Sequence, residues 1–439
     1  MLSHEDNRLL TQTGPGTPMG ELFRRFWLPA ALGTEVARDG APVRLRILSE
    51  DLIGFRDSQG RVGIVEAYCS HKLAPLFFGR NEDCGLRCVY HGWKFDVDGN
   101  CVDVPNVPDL KDADSLKRKV GLKAYPTREA GGVIWVYMGG SKQMPQLPEF
   151  EWVLAPSGHT HVSRWLQRSN WAQGMEGEID SSHISFLHRQ MVREEETSPF
   201  APVVLAGADG SPVMTLEETA YGYRYGARRN RVSGDFYWRI THWLVPMYSL
   251  IASQEFPRGG RAWVPVDDNH VMAFGYNYRA DRPFTAEEIA YLENGNAFPP
   301  RIHRGAYQLP DGYVIDTYLP LANKGNDYLI DRAMQKRINY TGIYGINEQD
   351  RALQENMPGS AAASGAVDRS REHLVYSDVP AITARRILLK MARDLTQGIE
   401  PYAASHGEIY RVRALGALSP AAELHQFLEA FAHESRVIY

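Results

Sequence analysis

Residues 69–93 read CSHKLAPLFFGRNEDCGLRCVYHGW, and the order of sulfur and imidazole in this stretch decides the fold of the first third of the chain. Three of the four cysteines of the 439-residue chain lie here, and the fourth, Cys101, follows closely. His71 and His91 accompany the outer two. A disulfide knot, a zinc site and an iron–sulfur cluster each concentrate cysteine in this way. Four cysteines are too few for a secreted disulfide scaffold in a chain of this length, so reduced, metal-binding thiols are expected.

Cys69-Ser-His71 and Cys88-Val-Tyr-His91 are two chelating arms with 16 residues between them. Each arm offers one thiolate and one imidazole. Zinc can take all four ligands in a tetrahedral site, but the usual zinc spacing pairs Cys with Cys and His with His. In a Rieske [2Fe–2S] centre two cysteines hold one iron and two histidines the other, so two mixed arms can each give one ligand to each iron. Each arm ends a strand-like run, which predicts presentation on two hairpin tips. Gly92 permits close backbone approach and Trp93 can shield a cluster. The pattern C-x-H-x16-C-x-x-H-G-W is too specific for four unrelated core and surface residues. An all-cysteine cluster from Cys69, Cys84, Cys88 and Cys101 leaves both histidines unexplained, so Cys84 and Cys101 read as structural.

Outward from this window the chain divides. Residues 1–27 hold a Gly/Pro turn at 14–18 and a short helix in GELFRRFW. From about residue 43, short Val-, Ile- and aromatic-rich runs alternate with the turn signals DSQG, NEDCG and DVDGN, which predicts a β-sandwich over 28–145. Pro145 and Pro148 mark a linker. Residues 146–439 are mixed. NWAQGMEGEIDSSHISFLH has helical character. The runs YGYRYGARR, DFYWRITHWLVPMYSLIA, RAWVPV and HVMAFGYNYR are strand-like. NEQDRALQENM, VPAITARRILLKMARDL after Ser377 and Asp378 as caps, and AAELHQFLEAFAHE are helical. MPGSAAASGAV, 357–367, reads as a flexible loop. The fold class is α+β, with a largely antiparallel sheet in the second domain.

A net charge of −5 gives no general attraction to nucleic acid or acidic membranes. No apolar run approaches the ~18 residues of a membrane span, and MLSHEDNRLLTQ has no apolar signal core. A soluble, cytoplasmic protein is expected.

A second constellation lies at 180–188. Asp180 and His183 are spaced i, i+3, as neighbours on a helical face are. His188 lies about 140° from His183 around a regular helix, so both imidazoles reach one metal only if the helix ends or bulges between them. Two histidines and a carboxylate form the facial triad of non-haem Fe(II) oxygenases. Asp180 suits a second role, orienting an imidazole. NEQDRALQEN offers Glu348, Asp350 and Glu355 as the carboxylate. In isolation the His-x4-His spacing is equally that of two ordinary polar helix residues.

In this order the two constellations resemble the catalytic α subunit of Rieske non-haem iron ring-hydroxylating oxygenases, and within them the phthalate 4,5-dioxygenase group. The likeness is carried by GPGTPMGELFRRFWLPA (14–30), LFFGRNEDCGLRCVYHGWKFDVDGNCVDVP (76–105), NWAQGMEGEIDSSHISFLH (170–188) and DRSREHL (368–374). It implies a Rieske domain followed by a helix-grip catalytic domain. It implies Cys69 and Cys88 on one cluster iron and His71 and His91 on the other. It implies His183, His188 and Asp350 on a mononuclear iron. It also implies a head-to-tail homotrimer or trimer-based hexamer, in which Asp180 bridges electrons between neighbouring subunits. Lys72 stands where the common family arm has Arg, and retains the positive charge.

The implied activity takes electrons from a separate NADH-dependent flavin/iron–sulfur reductase and uses O2 to oxidise a small aromatic, carboxylated substrate. Ring hydroxylation is the main expectation and O-demethylation of methoxylated aromatic acids the alternative. A Rieske electron carrier without oxygenase activity is a more remote one, and a zinc-binding scaffold protein another. No GxGxxG occurs, so hydride must be taken elsewhere. Strand alternation in FYWRITHWLVP separates Arg239 from His242 onto opposite faces, so one of them can meet the substrate. Arg239 suits a carboxylate clamp because guanidinium is bidentate. Arg228 is a weaker candidate.

Overall fold

The computed structural model describes residues 1–139, 144–191, 205–207, 209–252, 258–295, 298–359 and 366–439. The chain opens with two capped helices, His4–Thr11 behind Ser3 and Pro18–Phe23 behind Thr17. Trp27 already belongs to a strand, Trp27–Leu32, rather than to the helix predicted in GELFRRFW. That strand pairs antiparallel with Val133–Tyr137, which also pairs with Thr127–Ala130.

Between these paired strands lies the first domain. Val43–Ile47, Glu50–Arg56, Val62–Glu66 and Ala124–Tyr125 form an antiparallel sheet. Alternation in VRLRI buries Val43, Leu45 and Ile47 on one face, as a period of two requires. The hairpin turn at Leu48 and Ser49 has both residues at positive φ. Their N–H groups donate to Pro265 and Val266 carbonyls, each at 2.9 Å, which docks the turn on the second domain. This sheet is a wall between two cores. Val43, Leu45, Leu52 and Ile64 belong to the large core shared with the second domain. Ile53, Phe55 and Val65 belong to a smaller core with Cys69, Leu76, Cys88, Trp93 and Phe95.

A small sheet, Arg80–Glu82, Gly85–Arg87, Lys94–Phe95 and Cys101–Asp103, closes that smaller core. The run LRCVYHGWKFDV is therefore not one strand. It breaks at Cys88 because Gly92, at φ +80°, turns the chain so tightly that a Cβ there would meet Pro105 Cγ at 2.6 Å.

The second domain is built on an antiparallel sheet ordered Thr160–Gln167, Val271–Tyr278, Arg258–Pro265, Tyr248–Ile251, Phe236–Leu244, Gly222–Asn230 and Val213–Thr219, with Leu415–Ser419 also pairing along Phe236–Leu244. The run DFYWRITHWLVPMYSLIA supplies two of these strands, parted at Pro246. Four stretches whose strands were not foreseen are Thr160–Gln167, Val213–Thr219, the hairpin Ile302–Gln308/Val314–Pro320, and Leu415–Ser419. The helix Trp171–Glu178 packs on the three strands from Tyr248 to Tyr278. The helix Val379–Thr396 begins at Asp378, but Asp378 does not cap it; its carboxylate accepts from Val375 N–H instead, at 2.7 Å. Ile346–Gln354 and Leu424–Ala430 are helical as expected. Most of the expected 357–367 loop lies outside the described residues. Among the described residues no helix is long and apolar enough to cross a membrane.

Candidate metal centres and active site

The two cysteine–histidine arms are turns that face each other across the small core. Cys69 accepts from Leu73 N–H and Cys88 from Gly92 N–H, each through its backbone carbonyl, and these bonds curl the arms back on themselves. Cys69 and Cys88 are buried, while His71 and His91 are half-buried. The thiols of Cys69 and Cys88 adjoin, and burial, outweighing backbone hydrogen bonds, pushes the Cys69 thiol up to about 11. The His71 and His91 rings lie 4.6 Å apart. Sulfur thus meets sulfur inside and imidazole meets imidazole outside. This is the segregation a two-iron cluster needs, not the single point of a tetrahedral zinc site. Trp93 stacks on His71 at 4.5 Å with ring planes 6° apart, held by its indole N–H, which donates to Asn106 Oδ1 at 2.8 Å. All four cysteines are free thiols. Cys84 sits at φ +60° at the tip of a two-residue hairpin turn, a structural position.

The second centre gathers residues far apart in sequence. The helix Trp171–Glu178 ends before Asp180, and a short helix, Ile184–Leu187, separates His183 from His188. That interruption removes the 140° problem. His183 Nε2 and His188 Nε2 are 3.2 Å apart. Asp350 Oδ1 lies 3.6 Å from the first and 3.2 Å from the second. Donors bound at right angles to one ion at about 2.1 Å stand about 3 Å apart, so the three fit one face of an octahedral ion. Among the described residues this is the group of donors gathered closely enough for a single metal.

The remaining imidazole nitrogens are also engaged. His188 Nδ1 is 2.7 Å from Gln349 Oε1, and Gln349 Nε2 donates to Ile343 O at 2.9 Å. His183 Nδ1 is 3.4 Å from Asp180 Oδ2. Each Nδ1 thus faces an acceptor oxygen, and both Nε2 atoms face Asp350. Burial would raise the Asp350 carboxyl, but His188, then His183 and Arg261, hold it below the usual range. Burial would lower His183, but Asp180 raises it. Asp350 reaches the histidines because its helix packs tightly on the first: a Cβ on Gly177 would meet Gln354 Nε2 at 2.1 Å.

Comparison with known families follows this division. A Rieske [2Fe–2S] domain profile matches residues 26–126, and a profile described as LigXa C-terminal domain like matches residues 136–434. The chain is 37% identical over 399 residues to the 3-chlorobenzoate-3,4-dioxygenase oxygenase subunit of Comamonas testosteroni, covering 89% of this chain and 88% of that one. The chain belongs to the oxygenase subunits of the Rieske non-haem iron oxygenases. It is also 37% identical over 411 residues to the phthalate 4,5-dioxygenase oxygenase subunit of Pseudomonas putida, covering 89% and 86%. The fold matches the crystal structure of dicamba monooxygenase bound to dicamba with a TM-score of 0.58 at 17% identity, over 85% of this chain and 98% of that one.

In this Rieske oxygenase the ladder puts Arg239 and His242 on opposite faces of the sheet. Arg239 pairs with Ala227, flanked two residues away by Tyr225 and Arg229 on the same face. Tyr225 donates to Ile179 O at 2.8 Å, and Arg229 donates to the Ser181 carbonyl and hydroxyl. Arg239 therefore shares its face with the turn that carries Asp180. Its Nε is buried without a hydrogen-bond partner. His242 is on the opposite face and is not brought to the site. Tyr221 donates to its Nδ1 at 2.8 Å, and its Nε2–H donates to Arg413 O at 3.2 Å. Arg228 is also on that outer face, bonded to Ala422 O. Gln349 and Arg229 were missed in the sequence, where nothing local separates them from ordinary polar neighbours.

Proposed function

We propose that this chain is the terminal oxygenase that hydroxylates the ring of an aromatic carboxylate. In this reading Cys69, Cys88, His71 and His91 hold the [2Fe–2S] cluster, and His183, His188 and Asp350 hold the mononuclear iron. When bound, the cluster supplies single electrons and the iron a site where O2 is activated beside the substrate. Gln349 and Asp180 keep the two Nδ1 protons in place, so that both Nε2 atoms stay available as ligands. Arg239 grips the carboxylate. The observation that carries this assignment is its unpartnered Nε on the face of the Asp180 turn, since a buried guanidinium wants an oxyanion.

The electron route proposed runs between subunits of a homotrimer, or a hexamer of trimers, with Asp180 bridging His183 and the partner subunit's His91. Two apolar surfaces support it. Leu73, Phe78, Val89 and Tyr90 are exposed around the cluster arms, and Phe186, Met191, Tyr340 and Leu353 are exposed on the triad's side. Such patches mark interaction surfaces. We place the protein in the cytoplasm with an NADH-dependent flavin/iron–sulfur reductase, and divide its domains near residue 145.

Iron and acid-labile sulfide per chain, with the EPR spectrum after dithionite, test the metal assignment. About three irons and two sulfides are expected with a Rieske signal. Two irons after anaerobic Fe(II) loading reduce the protein to an electron carrier. Turnover of benzoates under ¹⁸O2 then tests the chemistry. Label in a hydroxylated or dihydrodiol acid supports it, and formaldehyde release identifies O-demethylation instead.

A further inference from the structure

The peptide carbonyls on either side of Asp180 are held by two side chains of one strand. The helix Trp171–Glu178 ends at Ile179, and carbonyls at a helix end need donors from outside it. Ile179 and Ser181 are buried, at 0% and 2% exposed, so those donors must come from the protein. The Tyr225 hydroxyl donates to Ile179 O at 2.8 Å. The Arg229 guanidinium donates to Ser181 O and, through Nη1, to Ser181 Oγ at 3.2 Å. Arg229 Nε donates to Asp209 O at 3.2 Å, which fixes the guanidinium itself. Tyr225 and Arg229 both lie on Gly222–Asn230, an even number of residues apart, so they stand on one face of the sheet.

The Asp180 carboxylate is held within the turn instead. Its Oδ1 accepts from Ser182 N–H at 2.6 Å, and its Oδ2 stands 3.4 Å from His183 Nδ1. The Asp180 side chain is 32% exposed although the peptides beside it are buried. A separation of 3.4 Å is at the long limit of a hydrogen bond. A small shift of the turn therefore decides whether carboxylate and imidazole meet.

Two features separate this grip from ordinary satisfaction of buried carbonyls. It straddles Asp180, with one donor on each flanking peptide. It also spends a buried cation where a neutral donor would serve. Arg229 is buried on the same face as Arg239; burial first, and then Arg239, pull it down to about 10. A guanidinium in such a place is costly, and what it holds is the turn that carries Asp180.

We propose that Tyr225 and Arg229 are positioning residues for Asp180. Together they fix its turn so that the carboxylate meets His183 and remains open on its exposed side. This rests on the inter-subunit electron route proposed above, and goes beyond it by assigning the strand that keeps Asp180 in place.

The test follows one electron. Iron-loaded holoenzyme, with its cluster oxidised and its mononuclear iron ferric, receives one electron equivalent of dithionite per chain. Decay of the reduced-cluster absorbance is then timed as the cluster loses that electron and the ferric ion gains it. A loosened turn slows transfer in proportion to the fraction of chains in which it is correctly formed. Tyr225→Phe is expected to slow transfer about fivefold and Arg229→Met about tenfold or more, the weights of a neutral and a charged hydrogen bond. Arg229→Lys should recover part. Iron and sulfide per chain should not change. Asp180→Asn should slow transfer by itself, and adding Tyr225→Phe to it should change little, because both act through one carboxylate. Hydrogen exchange over residues 178–183 of the resting holoenzyme should rise in Tyr225→Phe.

Transfer that is unchanged in Tyr225→Phe overturns the inference. So does slowing by Tyr225→Phe that is as large in the Asp180→Asn background as in the unmodified protein, and so does exchange over 178–183 that does not rise. Tyr225→Phe removes one oxygen atom and keeps the ring, so it decides the matter even where Arg229→Met loses iron. If Asp180→Asn slows transfer and Tyr225→Phe does not, this inference alone fails. If Asp180→Asn does not slow it, the electron route falls and takes this inference with it.

Discussion

Gln349 Oε1 accepts the Nδ1 proton of His188 at 2.7 Å. Gln349 immediately precedes Asp350, so one short segment of helix supplies both a carboxylate for the metal and the group that orients an imidazole toward it. Such partners typically change metal affinity 10–100-fold. Gln349→Leu should weaken Fe(II) binding by about that factor. Iron titration by EPR of a nitrosyl adduct would measure it, with sulfide content and the Rieske signal unchanged. Equal loss of cluster and iron would point to misfolding rather than to a lost orienting bond.

Arg239→Leu should lower kcat/KM for carboxylated aromatics about 10–100-fold, the usual weight of a charge-assisted hydrogen bond. Most of the change should lie in KM. Arg239→Lys should recover only part, because ammonium lacks the bidentate fork. An unchanged KM in Arg239→Leu would move the carboxylate elsewhere.

His242 is a pH probe of the fold rather than of catalysis. Burial, and then Arg224, lower it from 6.5 to about 4. Above pH 6.5 both folded and unfolded chains hold it neutral and it contributes nothing to the pH dependence. As pH falls from 6.5 towards 4 the unfolded chain takes up the proton and the folded chain does not, so stability falls in that window. Thermal melts of His242→Gln should lose that part of the acid sensitivity. A dependence identical to the unmodified protein's would contradict the shift.

Glu176 joins the helix Trp171–Glu178 to Arg369 and Arg385. Burial would raise its carboxyl, but the two arginines hold it at about 2 against 4.5. Its contribution to stability is therefore complete above pH 4.5 and is lost as pH falls towards 2. Glu176→Gln leaves buried guanidinium groups undercompensated and should cost about 3–5 kcal/mol. Denaturant midpoints at pH 7 would show the loss, and the variant should be less sensitive to acid below pH 4.5.

The cluster arms were legible in the sequence because Cys69, His71, Cys88 and His91 act through local spacing, and a turn of a few residues decides where each points. His183 and His188 were legible as a pair, but their convergence depends on the helix ending at Glu178, which sequence periodicity does not fix. Asp350 stood among Glu348 and Glu355 as one carboxylate of three until the family likeness singled it out. The separation of Arg239 from His242 followed from strand alternation alone. Which of the two faces inward did not, because it is set by the packing of Leu424 and Phe427 on Trp238 and Ile240, far along the chain. Gln349 was invisible for the same reason: its partners, His188 and the Ile343 carbonyl, are brought to it by packing that only the folded chain defines.

The sheet from Val43 to Tyr125 keeps the small core around Cys69 and Cys88 apart from the large one. The strands that frame it, Trp27–Leu32 and Val133–Tyr137, are zipped to each other without help from the arms. The cluster tip is thus a cassette set into a frame that closes on its own, and it can open locally while the frame stays shut.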